Sequence, residues 1–317
     1  MKKTVFAVLS LLVLAVMIIS AVSCGNAPSE TQTEADTKAE TTETETGTED
    51  ISYVVTETTS EDTTVEEATE TEEQNDAYQI YKAAAEKTNA KSDMRQKQYI
   101  EQNITMAFLG LQIKSVSVTE AYDEIQDRNG NGTKYLSRSK TTTDNGGVKQ
   151  ESEYELIADS DKIYYKDAPS NGYTVMNRDE ADFQSINEMV KPENMTVSVL
   201  SEEVFAGAKI KENEDGSKTV STAPDPETMN GIFKEIIDRY KQTFASAGAD
   251  SVTCRAGGAE MIYTVSPDGY IIHSESRMIV YIDMTIAGIP VSAISDATTV
   301  TDFADPDKPV VIEIPPL

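Results

Sequence analysis

Few side chains in this 317-residue sequence could carry chemistry: one histidine, two cysteines and 55 carboxylates. His273 is the only side chain that ordinarily titrates near neutral pH. It stands in "YIIHSESRMIVYIDMTI", with Glu275, Arg277 and Asp283 on the same alternate positions, the polar side of a strand. A catalytic histidine needs a nucleophile held against it, and no motif here supplies one. Cys254 has only His273 to pair with and reads as a packed or loop residue. No glycine-rich phosphate loop and no serine elbow occur. Asp127, Asn129, Asn131 and Gly132 in "DRNGNG" match the opening of a calcium loop. The twelfth position of that loop needs a bidentate carboxylate, and Arg138 stands there instead. The stretch therefore reads as a hairpin turn. No metal and no cofactor follow from these residues. An extracellular hydrolase built on a carboxylate pair is an alternative for which no particular pair is indicated.

The first cysteine does carry a chemical signal. Met1-Lys2-Lys3 precedes an apolar run from Val5 to Ile19, the charged and hydrophobic regions of a secretory signal. The run is short for a bilayer span, which needs about 20 apolar residues; a permanent transmembrane helix is the alternative. Ala21-Val22-Ser23-Cys24 follows and resembles a bacterial lipobox, with Ala21 in place of the usual leucine. That resemblance implies a diacylglyceryl thioether on Cys24 and cleavage between Ser23 and Cys24. Two acyl chains meet the two-signal requirement for stable anchoring. The expected partner is then a membrane, with the chain lipid-anchored on its extracytoplasmic face. With Cys24 acylated, Cys254 has no disulfide partner.

These groups must be positioned by a strongly acidic chain: 55 acidic against 27 basic side chains give a formal charge of −28. Much of the excess lies in the Thr/Glu-rich tract before Asp76, as in "TEADTKAETTETETGTED". Such composition cannot offset chain entropy by burial and is expected to be a disordered tether. About 50 flexible residues reach roughly 40 Å. Net acidity opposes nucleic acid as a partner. Residues 1–23 thus read as a lipoprotein signal peptide, 24–75 as a disordered tether and 76–317 as one folded domain.

Asp76 is placed to cap a first helix, "AYQIYKAAAEKTNAK". A meander of strands follows, "YIEQNITMAF" with Gln102 as an exception on its apolar side, then "IKSVSVTEAYDEI", "TKYLSRSKTTT", "VKQESEYELIA", "KIYYKD" and "GYTVM", joined by Asn/Gly turns. A helical insertion is expected near "DEADFQSINEMV" and a hairpin through "AKIKENEDGSKTV". Asp225-Pro226 is a helix start. Behind it, Met229, Ile232, Phe233, Ile236, Ile237, Tyr240 and Phe244 make a wide apolar stripe. Long strands return in "AEMIYTV" and "YIIHSESRMIVYIDMTI", where Tyr270, Ile272, Ser274, Ser276, Met278 and Val280 are expected on one face. "VSAISDATTVTDF" and a final strand "VVIEIPPL" close the chain. The architecture implied is α+β: a curved antiparallel sheet, or half-barrel, with helices covering its concave face.

The lipobox, the tether, the first helix, "DKIYYKDAPSNGYTVM", "SPDGYIIHSESRMIVYIDM" and the Pro-ended "VVIEIPP" together resemble the LolA-like superfamily, in the style of its Gram-positive surface lipoproteins. The resemblance spans roughly residues 76–317. It implies a half-barrel closed by helices around an apolar cavity, and hence a non-enzymatic lipoprotein that binds a lipid or another apolar ligand. Ile104, Met106, Met229, Phe233, Ile237, Ile272, Met278 and Val280 are the candidate cavity residues. Methionine suits such a wall because its thioether adapts to irregular shapes. The alternative is a surface interaction module with a solid core.

Overall fold

A computed structural model describes residues 67–316, apart from 129, 131, 169, 171, 179–194, 305–307 and nine positions between 233 and 247. Residues 1–66, with Ser23 and Cys24, lie outside the described residues. So do the expected helical insertion and the Phe233, Ile236, Tyr240 and Phe244 part of the apolar stripe.

The first helix, α1, runs Glu67–Asn89, starting before the expected cap at Asp76. The strands are β1 Met94–Phe108, β2 Leu111–Gln126, β3 Lys134–Asn145, β4 Val148–Ala158, β5 Lys162–Asp167, β6 Thr174–Asn177, β7 Lys209–Glu212, β8 Lys218–Thr222, β9 Ser251–Val265, β10 Ile271–Ile286 and β11 Ile289–Phe303. A 3-10 turn spans Glu202–Phe205, and α2 covers Pro226–Ile232. Asp225 caps α2: its Oδ1 accepts the amides of Glu227 (2.8 Å) and Thr228 (2.9 Å).

All eleven strands form one open antiparallel sheet in the order β6-β5-β4-β3-β2-β1-β11-β10-β9-β8-β7. It is two meanders, β1–β6 and β7–β11, joined where β1 pairs with β11 from Gln96↔Phe303 to Phe108↔Val291. Both edge strands, β6 and β7, have four residues, and short edges limit further pairing. Strands of 15 and 16 residues make the middle of the sheet about 50 Å long.

Alternation gives the sheet two unlike faces. The inner face carries α1. Ala77, Tyr81, Ala84 and Ala85 of α1 are buried against Val220, Met261, Tyr263 and Ile271 of β8–β10. The Tyr81 ring lies 4.9 Å from Phe205 and 4.5 Å from Tyr263. Each such fully buried large side chain contributes about 1.5–3 kcal/mol. The end of α1 is tied down by polar bonds. Thr88 Oγ1 accepts the Ile271 amide at 3.0 Å, and the Asn89 side chain bonds both the carbonyl and the amide of Val197 at 2.8 Å.

Two expectations need correction. The final "VVIEIPPL" is not a strand. Pro309, Pro315 and Pro316 lack the N–H that a ladder needs, and side chains take the neighbouring amides: Asp93 accepts Val310 N (2.9 Å) and Gln126 accepts Ile312 N (3.0 Å). The segment packs Val310 and Ile312 on the outer face, against Leu136, Ile157 and Tyr164. The alternation expected in β10 also slips. A bulge between Ile271 and His273 flips parity. Ile271, not Ile272, therefore enters the core.

Candidate functional site

The inner face was expected to be an apolar cavity wall. Its chemistry is more mixed. Near the β1–β2 and β10–β11 tips, Ile104, Met106, Ile237, Ile282, Met284 and Val291 form one buried cluster, with Val280 partly buried at its margin. Under α1 and α2 a second cluster buries Met229, with Met278 partly buried against it. The candidate residues are thus divided between two packed clusters. Met278 and Val280, two positions apart on β10, flank the seam between them. Ile272 belongs to neither cluster, because of the bulge. Phe233 lies outside the described residues.

Between the apolar clusters the inner face is polar and almost uncharged. The register aligns Gln102 with Ser117 and Ala297, Ile100 with Thr119 and Thr299, and Gln98 with Ala121 and Thr301. Gln96, Gln102, Ser115, Ser117, Ser295 and Thr301 are all buried. Gln102 Nε2 donates to Ser295 Oγ at 3.0 Å, so the exception in the strand pattern is a bonded member of this band. Gln98, Thr119, Ser274, Ser276 and Thr299 are only partly buried, so the band is not sealed.

Asp123 is the buried carboxylate of the band. Its Oδ2 accepts from Gln96 Nε2 and its Oδ1 from the Tyr135 hydroxyl, both at 3.1 Å. Burial pushes its pKa up, against the pull of hydrogen bonds from Gln96, Ser137 and Tyr135. Cys254 is buried on the same face, and burial pushes its thiol up to about 11. At neutral pH it is a protonated packing residue and no nucleophile.

The outer face carries the charges. A groove of about 910 Å³ crosses β1–β5 there, walled by Lys97, Tyr122, Arg138 and Glu155 on one side and Tyr99, Glu120, Lys140 and Glu153 on the other. Gln98, Ala121, Ser139 and Tyr154 lie in the row between and point to the inner face, so their main chain forms the floor. Arg138 pairs with Glu155, which also accepts from the Tyr173 hydroxyl. Sequence reasoning missed this groove because its residues alternate along five separate strands and meet only through register. His273 is on this face too, its Nδ1 2.7 Å from Asp302 Oδ1. Arg277 makes a bidentate pair with Asp296 at 2.9 and 2.7 Å. In the "DRNGNG" turn, the Asp127 carbonyl accepts from Gly130 N and Thr133 Oγ1; Asn129 and Asn131 are outside the described residues. Among the described residues no group of three His, Cys, Asp or Glu side chains could hold a metal ion.

No family model matches the chain, and no curated protein matches it. Among solved structures it is similar to LprF from Mycobacterium bovis, at 10% identity over 76% of this chain and 97% of that one, with a TM-score of 0.35. A DUF1329 family protein from Desulfovibrio piger is matched at 10% identity over 74% and 92%, with a TM-score of 0.20. Likenesses of this size place no residue and name no ligand.

Proposed function

We propose that the chain is a membrane-anchored extracytoplasmic lipoprotein that binds an uncharged amphiphile, without catalysis, between the inner face of its sheet and its helices. In this reading the sheet is a half-barrel and its inner face is concave. The observation that carries the proposal is the seam at Met278 and Val280, where two apolar clusters leave a partly open strip continued by Ser276, Thr299 and Gln98. Apolar walls beside neutral hydroxyl and amide groups suit a ligand with a hydrocarbon part and a polar, uncharged part. Native mass spectrometry and solvent extraction of the chain purified from bacterial membranes test this. A stoichiometric amphiphile is expected; a ligand-free protein at native yield sinks the proposal.

A second reading is favoured by the outer groove. Its tyrosines and Arg138 are of the kinds enriched at protein interfaces, with Tyr122 also packed on the Leu136–Ile157 cluster, and the groove suits a protein partner. On that reading the inner face is only packing, and Lys97→Glu with Lys140→Glu would abolish partner capture while leaving any bound amphiphile in place.

A further inference from the structure

Two neighbouring hairpins end in turns whose own residues carry no charge, although the Asp250 carboxylate accepts the Gly288 amide at 3.0 Å beside the second. From Gln102 to Ile113 around the β1–β2 turn, and from Met284 to Ser295 around the β10–β11 turn, no residue is charged, in a chain that is 26% Asp, Glu, Lys and Arg. The hairpins lie side by side through the Phe108↔Val291 pair. Leu109 is 67% exposed and Leu111 60% exposed. Leu109 also sits at φ 49, ahead of Gly110 at φ 75. That left-handed region favours Gly, Asn or Asp, the residues that two-residue hairpin turns normally use. A leucine here is locally unfavourable and packs into no core, so folding alone does not account for it. The neighbouring tip repeats the geometry with Ala287 at φ 50 and Gly288 at φ 75. A cleft of about 400 Å³ opens at these tips, lined by Phe108, Leu109, Pro290 and Val291 together with Thr253 and the carboxylate residue Asp283.

We propose that this end of the sheet docks onto a membrane, with Leu109 and Leu111 entering the bilayer interface. The inference rests on the anchored reading above. Two leucines alone give only a weak, roughly millimolar association. That is enough for a domain already held at the surface by a lipid, since tethering raises its effective concentration. The roughly 40 residues between Cys24 and α1 would span about 35 Å as a flexible chain, of the same order as the length of the sheet. Charge agrees: a chain of −28 is repelled by anionic headgroups, and the charge-free turn that carries Leu109 and Leu111 is where it can approach a bilayer closely. The docked end also puts the Ile104–Met284 cluster next to the bilayer, where an amphiphile would enter or leave.

The chain has no tryptophan, so a single introduced indole reports its own position. The chain from residue 24, carrying Cys24→Ser and Leu111→Trp, is mixed with phosphatidylcholine vesicles at millimolar lipid. Its emission should shift to the blue and be quenched by lipids brominated on their acyl chains. Val311→Trp, at a site 74% exposed on the segment packed at the other end of the sheet, should show neither change. Leu109→Asn relieves the left-handed strain, so it should fold at least as stably yet bind vesicles several-fold more weakly. An unshifted, unquenched Leu111→Trp reporter, equal quenching of both reporters, or undiminished binding by Leu109→Asn overturns the proposal. No acyl group is present in this assay, so its outcome is independent of whether Cys24 is lipidated in the cell.

Discussion

Asp123 shows how one residue can couple the inner face to pH. Its native pKa is raised, chiefly by burial, so over a window above the unfolded carboxylate value of about 3.9 the native state holds a proton that the unfolded state has lost. Stability therefore falls as pH rises through that window, up to the raised native value. Asp123→Asn removes the titration and keeps one acceptor oxygen, for the Tyr135 hydroxyl, while the Gln96 amide can turn its own oxygen to the new Nδ2. Urea unfolding followed from pH 4 to 7 should show a flatter profile for the variant than for the wild type. The methionines make a second residue-scale contrast. Met229 is fully buried, and Met229→Ala should cost about 2–5 kcal/mol. Met278 is partly exposed at the seam, so Met278→Ala should cost less than about 2 kcal/mol and instead reduce retained amphiphile. Equal stability losses with no change in ligand would mark Met278 as ordinary core. From sequence Cys254 had only His273 to pair with, and the structure puts Cys254 in an inner cluster while His273 faces outward against Asp302. The bonded role of Gln102 was not legible in the sequence, because Ser295 is 193 positions away.

At the scale of elements, alternation and turn chemistry were legible wherever the strand was regular. Asn/Gly turns and the Asp225-Pro226 cap fell where the local physics put them. Parity failed at bulges, which depend on neighbouring strands. The second bulge lies at Gly257-Gly258, where β9 slips against Ile279 and Val280. A Cβ at Gly257 would come within 2.3 Å of the Tyr281 ring, over which the Arg255 guanidinium sits at 4.2 Å. Asn230 of α2 accepts the adjacent Ala256 amide at 2.8 Å, so the same bulge positions the helix. Gly257→Ala should destabilise by about 1–3 kcal/mol through the forced movement of that ring. Combined with Tyr281→Ala, the 2.3 Å contact is removed and only a 3.1 Å approach to Ile279 Cγ2 remains, so the double variant should lose less than the sum of the singles. Strict additivity in the unfolding cycle would mean that the ring is not what Gly257 accommodates.

The whole molecule is held by a contact that no local pattern announces, the pairing of β1 with β11 across some 190 intervening residues. Periodicity identifies both strands, but only the finished sheet makes them neighbours, and with them the inner polar band and the hairpin tips. The proposed lipid anchor is the opposite case, a purely local signal at Cys24 that needs no fold to be read. It governs the other proposals, because weak docking by two leucines suffices only for a domain already at the surface. Cys24→Ser removes the thiol that would carry the thioether, and it leaves residues 67–316 unchanged. The variant should lose metabolic labelling by palmitate and, because cleavage follows acylation of the cysteine, keep its apolar segment from Val5 to Ile19, with the same Tm for the folded part as the wild type. If labelling is unchanged, the acyl group is elsewhere. If the wild type itself keeps residues 1–23, the signal-peptide reading gives way to a transmembrane helix. Amino-terminal sequencing of the mature chain separates these outcomes, because cleavage after Ser23 leaves residue 24 first.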